Sequence, residues 1–266
     1  MRRVKLVVMF AFAVVLVLQA IPRALEGSNS TIYSFGTTTP VDGAVPKGSL
    51  TYVNGLIFGR TTTVPSHEHG DVVIFHFNPD NVATTYSIDH VFTGNRDGNN
   101  PRHDAMTPFN GQLYGTTLEG GGVNNGGIIF TIGQDGTGYK ELISLAKATG
   151  DQSHSCFVVV DDILYGMTAA GGDSDEGVIF SFDPLTSNYQ TLNSFICTSL
   201  GAEPPGRLTL DPDGRTLYGM TRKGGGHGFG VVFSIDTGGG NYIVLHDFAG
   251  EFRRRHERPR LRCSVG

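Results

Sequence analysis

Tryptophan is absent from the 266 residues, and only three cysteines occur. Cys156, Cys197 and Cys263 allow one disulfide and one leftover thiol, which rules out a disulfide framework as the source of stability. Cys156 and Cys197 both lie in the body of the chain and can pair; Cys263 lies near its end. No Gly-x-Ser-x-Gly elbow and no His-Glu-x-x-His helix is present, so two readable hydrolase signatures are missing. Long apolar runs are lacking too. Leu6 to Leu18 is an uncharged stretch of 13 residues, short of the roughly 18 to 20 that span a bilayer. Arg2, Arg3 and Lys5 precede it and Ala20 and Ala24 follow, which is the layout of a secretory signal peptide over residues 1–24. An uncleaved N-terminal anchor is the other reading of the same segment.

Positive charge is scarce in the body. Between residues 31 and 250 there are 10 basic and 22 acidic residues, a net charge near −12. That balance argues against nucleic acid as a partner, and against membranes beyond the export signal. Six arginines crowd instead into residues 251–266, a segment without apolar periodicity and expected to be a solvated, disordered tail.

Glycine is plentiful at 38 residues, beside 17 Phe and 9 Tyr. Such a mixture of turn formers and strand formers predicts near-absence of helix. It is also organised. Leu113-Tyr114-Gly115-Thr116-Thr117 returns as Leu164-Tyr165-Gly166-Met167-Thr168 and Leu217-Tyr218-Gly219-Met220-Thr221, with a degenerate copy at Ile57-Phe58-Gly59-Arg60-Thr61. The aromatic positions are 56, 51 and 53 residues apart. Each copy is followed by Ile74-Phe75, Ile129-Phe130, Ile179-Phe180 or Val232-Phe233, with an apolar residue two places on, the period of a strand face. Next come Tyr86 and Phe92, Tyr139 and Leu145, Tyr189 and Phe195, Tyr242 and Phe248, each pair six residues apart. Six is even, so a strand puts both on one face, whereas a helix would not. Weaker strands precede the motifs at Ser49–Val53, near Met106, at Phe157–Val160 and at Arg207–Leu210. Four short strands per fifty residues describe a propeller blade. The fold expected is therefore all-β, a β-propeller or open propeller-like arc of about four to five four-stranded blades over residues 31–250. Thr31 to Phe35 reads as the last strand of an incomplete blade, which either a second terminal segment completes or which leaves the arc open.

Glycine clusters at 120–127, 171–177 and 224–230 fall at one place in the repeat and predict hairpins needing positive φ or close approach. The whole pattern, Leu-Tyr-Gly-Thr-Thr, glycine cluster, Gly-x-Val/Ile-Phe, Tyr-x-x-Leu-x-x-Phe and Gly-x-x-Pro, resembles the GloVer tandem repeat of bacterial exported proteins. That resemblance covers roughly residues 31–250. It implies an exported, propeller-like protein, often on a surface anchor, with no catalytic residues to carry over. His67-Glu68-His69 replaces the glycine cluster in the first copy, the Gly-x-x-Pro step is lost near Ser155, and no recognisable sorting anchor follows Phe248.

Candidate chemistry is sparse. Gly226-His227-Gly228-Phe229-Gly230 has the glycine spacing of a phosphate loop but leads into a strand, where no helix N-terminus would hold the phosphate. His67, Glu68 and His69 are metal-ligand types on one turn, too few for a site. Asp173, Asp175 and Glu176 before Gly177 resemble a fragment of a calcium loop without its bidentate glutamate. Asp89, Asp104, Asp161 and Asp162 are the acids that a glycoside-cleaving propeller would bring to its channel mouth. The reading favoured is a noncatalytic, exported scaffold, secreted or at the cell surface, without cofactor or metal, that binds a polysaccharide or a protein. A carbohydrate-active enzyme using those acids is the alternative.

Overall fold

Two-residue turns join the first two strands in the first three blades, as Asn-Gly in two of them, while a longer turn over residues 211–215 does so in the fourth. Asn54 and Gly55, and Asn110 and Gly111, all have positive φ, the requirement of the type I′ turn that suits the twist of a hairpin. Asp161 and Asp162 do the same job with φ of 48° and 64°. In the computed structural model, which describes residues 31–34, 43, 45–62, 72–94, 96–101, 105–154 and 156–250, these turns join the first two strands of successive four-stranded antiparallel sheets.

The first sheet runs β1 (Thr51–Val53), β2 (Leu56–Arg60), β3 (Val73–Phe77), β4 (Ser87–Val91), with one short helix α1 (Val82–Thr85) before the last strand. The second is β5 (Thr107–Phe109), β6 (Gln112–Thr116), β7 (Ile128–Gly133), β8 (Lys140–Ser144). The third is β9 (Val158–Val160), β10 (Ile163–Thr168), β11 (Val178–Asp183), β12 (Asn188–Ser194). The fourth is β13 (Thr209–Leu210), β14 (Thr216–Met220), β15 (Val231–Asp236), β16 (Ile243–Asp247). In each sheet the strands neighbour one another in chain order. Four blades are thus present, and among the described residues no strand pairing joins the last sheet to the first. Thr31 to Ser34 are not in a strand. Tyr33 instead lays its ring on Tyr86 at 4.2 Å and 6°, so stacking, and not a ladder, ties this stretch to blade 1. The signal segment 1–24 and the tail 251–266 lie outside the described residues.

The first strand of each blade is the inner one. Thr51 Oγ1 donates to the Met106 carbonyl at 2.8 Å, and the Phe157 amide donates to Thr107 Oγ1 at 2.9 Å, linking first strands blade to blade. The recurring motif is explained by what it touches. Gly59, Gly115, Gly166 and Gly219 stand directly across the ladder from Phe75, Phe130, Phe180 and Phe233. In each case the phenylalanine ring lies where a Cβ on the glycine would go. The threonine two places later accepts the amide of Val73, Ile128, Val178 or Val231 at 2.9–3.1 Å and closes the strand end. A β-bulge recurs just before each of those phenylalanines. At the start of the last strands of blades 2, 3 and 4 the tyrosine hydroxyls of Tyr139, Tyr189 and Tyr242 donate to the carbonyls of Asp97, Thr149 and Leu200 at 2.6–2.7 Å, tying each outer strand to the loop that enters its blade.

Blades stack face to face. Phe58, Ile74 and Phe92 of blade 1 meet Leu113, Ile128 and Phe130 of blade 2. Tyr114, Ile129 and Leu145 of blade 2 meet Leu164, Val178 and Phe180 of blade 3. Tyr165, Met167, Ile179 and Phe195 of blade 3 meet Leu217, Val231 and Phe233 of blade 4. One rule of alternation along each strand, side chains pointing to opposite faces, produces all three interfaces. Blade 4 presents the matching face outward. Met220 is 56% exposed where Met167 is 1%, and Phe248 is 39% exposed where Phe195 is 1%.

Candidate functional site

Because the repeat consumes its own recurring residues, the informative positions are those where one blade departs from its sisters. His76 on β3 stands where the other blades carry Thr131, Ser181 and Ser234, and Asp89 on β4 stands where they carry Leu142, Leu192 and Leu245. The two departures touch. His76 Nδ1 lies 2.6 Å from Asp89 Oδ1, and the Asp89 side chain is 2% exposed. Asp89 Oδ2 has no hydrogen-bond partner among the described residues. Burial pushes the Asp89 carboxyl up to about 6, against the opposing pull of His76.

The turn joining β7 to β8 in blade 2 packs on this pair. A Cβ on Gly136, whose φ is +81°, would sit 2.5 Å from Asp89 Oδ1 and 2.7 Å from His76 Nδ1. Only glycine lets the backbone come so near at that φ. The residues on either side of Gly136 line a cleft of 570 Å³ at this junction, made of Asn54, Gln112, Gln134, Asp135 and Thr137 with Leu56 and three glycines. This lies within the roughly 300–1,000 Å³ typical of small-ligand sites. Asn54 Nδ2 donates to Gln134 Oε1 at 2.8 Å across the two blades. Asp135 Oδ1 accepts from the amide and hydroxyl of Thr137 at 3.0 and 2.9 Å, which holds its carboxyl below the usual range. The lining is local to this junction: at the next one, the counterparts of Gln112, Gln134 and Asp135 are Ile163, Pro184 and Leu185. Further out along the same interface His90 stacks on Tyr139 at 3.5 Å and 5°. Burial holds the His90 imidazole down, opposed by Asp97, whose Oδ2 is 3.4 Å away.

The acids singled out in the sequence go to separate places. Asp161 and Asp162 are the hairpin turn of blade 3 and owe their positions to backbone conformation. Asp89 is on the outermost strand of blade 1, away from the inner strands, and Asp104 lies outside the described residues, as do His67, Glu68 and His69. The inner strands themselves read TYV, TPF, VVV and TL, with no carboxylate. Asp175 Oδ1 accepts the Gly171 amide at 3.0 Å, the duty Asn125 performs for Gly120 at 2.9 Å, and its other oxygen meets Lys147 at 2.6 Å. Asp173 is exposed and Glu176 half-buried. Among the described residues no group of three His, Cys, Asp or Glu converges as a metal site. Gly226-His227-Gly228-Phe229-Gly230 runs into β15, with the Gly226 amide donating to Asp247 Oδ2 at 2.7 Å. Cys197 is disulfide-bonded, but not to Cys156, which lies 3.9 Å from Arg207 Nη1. Cys156 and Cys197 flank strands at opposite edges of one sheet, three spacings of about 4.8 Å apart, too far for a bridge.

His76, Gln112, Gln134 and Asp135 carry no motif of their own. Aligning the blades and asking where one differs from three would have found His76, Gln112 and Gln134, but not Asp135, whose counterpart in blade 1 is Asp80.

The chain matches the Gloeobacter/Verrucomicrobia repeat over residues 62–260 and belongs to that family. No curated protein matches it. Among solved structures it is similar to a chain of the nidogen/laminin complex, with 14% identity, TM-score 0.49, and coverage of 76% of this chain and 64% of that one. TolB from Acinetobacter baumannii gives 16% identity, TM-score 0.46, and coverage of 77% and 43%. An oligogalacturonate lyase in complex with manganese gives 16%, 0.47, and coverage of 72% and 49%. The chain spans less than two thirds of the length of each of these structures.

The buried carboxyl yields a prediction about pH. A folded-state value near 6, above the ordinary 3.8, means that the folded chain binds a proton that the unfolded chain has already lost. Stability contributed by this group is therefore fully present below about pH 4 and is lost as pH rises from 4 through 6. The double change Asp89→Leu with His76→Ser restores the sister-blade pattern. It is expected to raise stability at pH 7.5 by about 1–3 kcal/mol and to flatten that stretch of the pH profile, as read from urea unfolding between pH 4 and 8. An unchanged slope would show that the carboxyl is not held in the neutral form.

Proposed function

We propose that the chain is an exported, noncatalytic scaffold, secreted or held at the cell surface, that binds a polysaccharide or a protein through the turns at one end of its blades. One observation carries this reading. The recurring Gly, Phe, Thr and Tyr are all spent on architecture, while polar departures gather at the turn face between blades 1 and 2. Loops on a rigid scaffold are where binding residues reside. The charged, then apolar, layout of residues 1–24 supports export.

The full chain is expected to be retained on members of a panel of insoluble polysaccharides, or of an array of purified proteins, without releasing reducing sugar from any glycan. Reducing-sugar release abolished by Asp89→Asn or Asp161→Asn would overturn the noncatalytic reading. Asn tolerates the left-handed turn at position 161, so that variant keeps its hairpin.

A further inference from the structure

Resting on the reading of the chain as a binding scaffold, we infer that the cleft between blades 1 and 2 is a saccharide site, taking a neutral, hydroxyl-rich unit of a glycan.

The chemistry of the lining selects the ligand class. Side-chain amides of Asn54, Gln112 and Gln134 both donate and accept, as sugar hydroxyls do, and Asp135 and Thr137 add acceptors and a hydroxyl. No lysine or arginine lines the cleft, and a carboxylate does, so an anionic ligand would be repelled and left unpaired. Leu56 is the one large apolar side chain there, which leaves a peptide no apolar pocket for its side chains. Gly111 and Gly138, both exposed in the lining, let a ligand come close to the backbone.

Position supports the same conclusion. The cleft is formed by two hairpin turns and a β7–β8 turn that is fixed from behind, since Gly136 rests on the buried His76–Asp89 pair. Rigid positioning of polar groups is what binding a solvated sugar requires, because each bond must replace one made to water. Asp89 and His76 form the surface on which Gly136 packs, in place of the leucine and the small hydroxyl side chains of the other blades. Departure from the repeat therefore occurs twice in one place, once in the lining and once in its support.

The test uses the full chain against soluble cellohexaose, xylohexaose, mannohexaose and chitohexaose, read by saturation-transfer NMR and calorimetry. At least one hexasaccharide is expected to bind, with Gln134→Ala and Asp135→Ala each weakening it at least 10-fold while the chain still unfolds cooperatively, its thermal midpoint lower by no more than about 4–8 °C. Asp162→Asn, in the corresponding hairpin of blade 3, should leave affinity unaltered. Binding that survives both cleft variants would overturn the assignment of the site but leave the scaffold reading standing. Binding of unfolded peptides in place of hexasaccharides, sensitive to the same two variants, would overturn the ligand class. Failure of every hexasaccharide overturns the inference, whereas failure of the whole reading shows as no retention on either the polysaccharide or the protein panel.

Discussion

Met167→Lys is expected to destabilise the folded chain by about 3–5 kcal/mol, whereas Met220→Lys should cost less than about 0.5 kcal/mol, the ordinary range for surface sites. The two methionines occupy the same place in the same motif, Leu-Tyr-Gly-Met-Thr. Local propensity, neighbours in sequence and strand position are matched. They differ in what stands opposite: Met167 packs among Phe195, Leu217 and Phe233 at the interface of blades 3 and 4, and Met220 faces outward from blade 4. A buried ammonium must desolvate or give up its proton, and either costs several kcal/mol. An exposed one keeps its water. Urea unfolding of the two variants measures the difference directly. Equal losses would mean that blade 4 is covered as blade 3 is, and that the arc does not end where the strand pairing places its end.

Gly166→Ala is the second large effect, expected to cost about 1–3 kcal/mol, the usual penalty of overpacking a core. Gly166 does not have positive φ, so its need for glycine is one of space. An added Cβ would meet Phe180 Cζ at 2.6 Å, and Phe180 is fully buried with nowhere to move. Gly206→Ala provides the contrast, since nothing lies within 4 Å of its added carbon and its φ is also ordinary. There alanine should be neutral or stabilise by up to about 1 kcal/mol through the unfolded chain. Combining Gly166→Ala with Phe180→Leu should cost less than the sum of the two single changes, because the second makes room for the first. Strict additivity in thermal or urea unfolding would separate the glycine from the ring and remove the explanation of the motif.

Much of this architecture was legible in the amino-acid order. Period and the approximate place of the sixteen strands follow from the repeat and its aromatic spacing, because a strand that packs on both faces must repeat its apolar residues at even intervals, although the same reading adds a strand at Thr31 to Phe35. The glycine clusters do need positive φ and close approach: Gly127, Gly177 and Gly230 press on the carbonyls of Thr117, Thr168 and Thr221. What could not be read was any fact that depends on register or on the neighbouring blade. The sequence offers no reason for the glycine inside the Leu-Tyr-Gly motif, and that reason appears only once Phe180 stands across the ladder from it. Asp89 looks like a channel acid until β4 proves to be the outermost strand. Asp161 and Asp162 look like acids of a channel mouth until their dihedrals show a tight turn. Thr31 to Phe35 had strand composition, yet the described part of it contributes an aromatic ring to Tyr86 and no ladder. The cleft was invisible for a different reason. Asn, Gln and Thr in turns are common, and their convergence is a property of two blades together.

The central claim, that four equivalent sheets stack into one folded body, is tested most directly by amide hydrogen exchange across the full chain. The account predicts four maxima of protection, over β2 and β3, β6 and β7, β10 and β11, and β14 and β15, the two strands paired on both sides within each blade, with the amides of Phe75, Phe130, Phe180 and Phe233 among the slowest. Protection confined to one or two repeats, or absent from β3 and β15 while present in the middle, would contradict it.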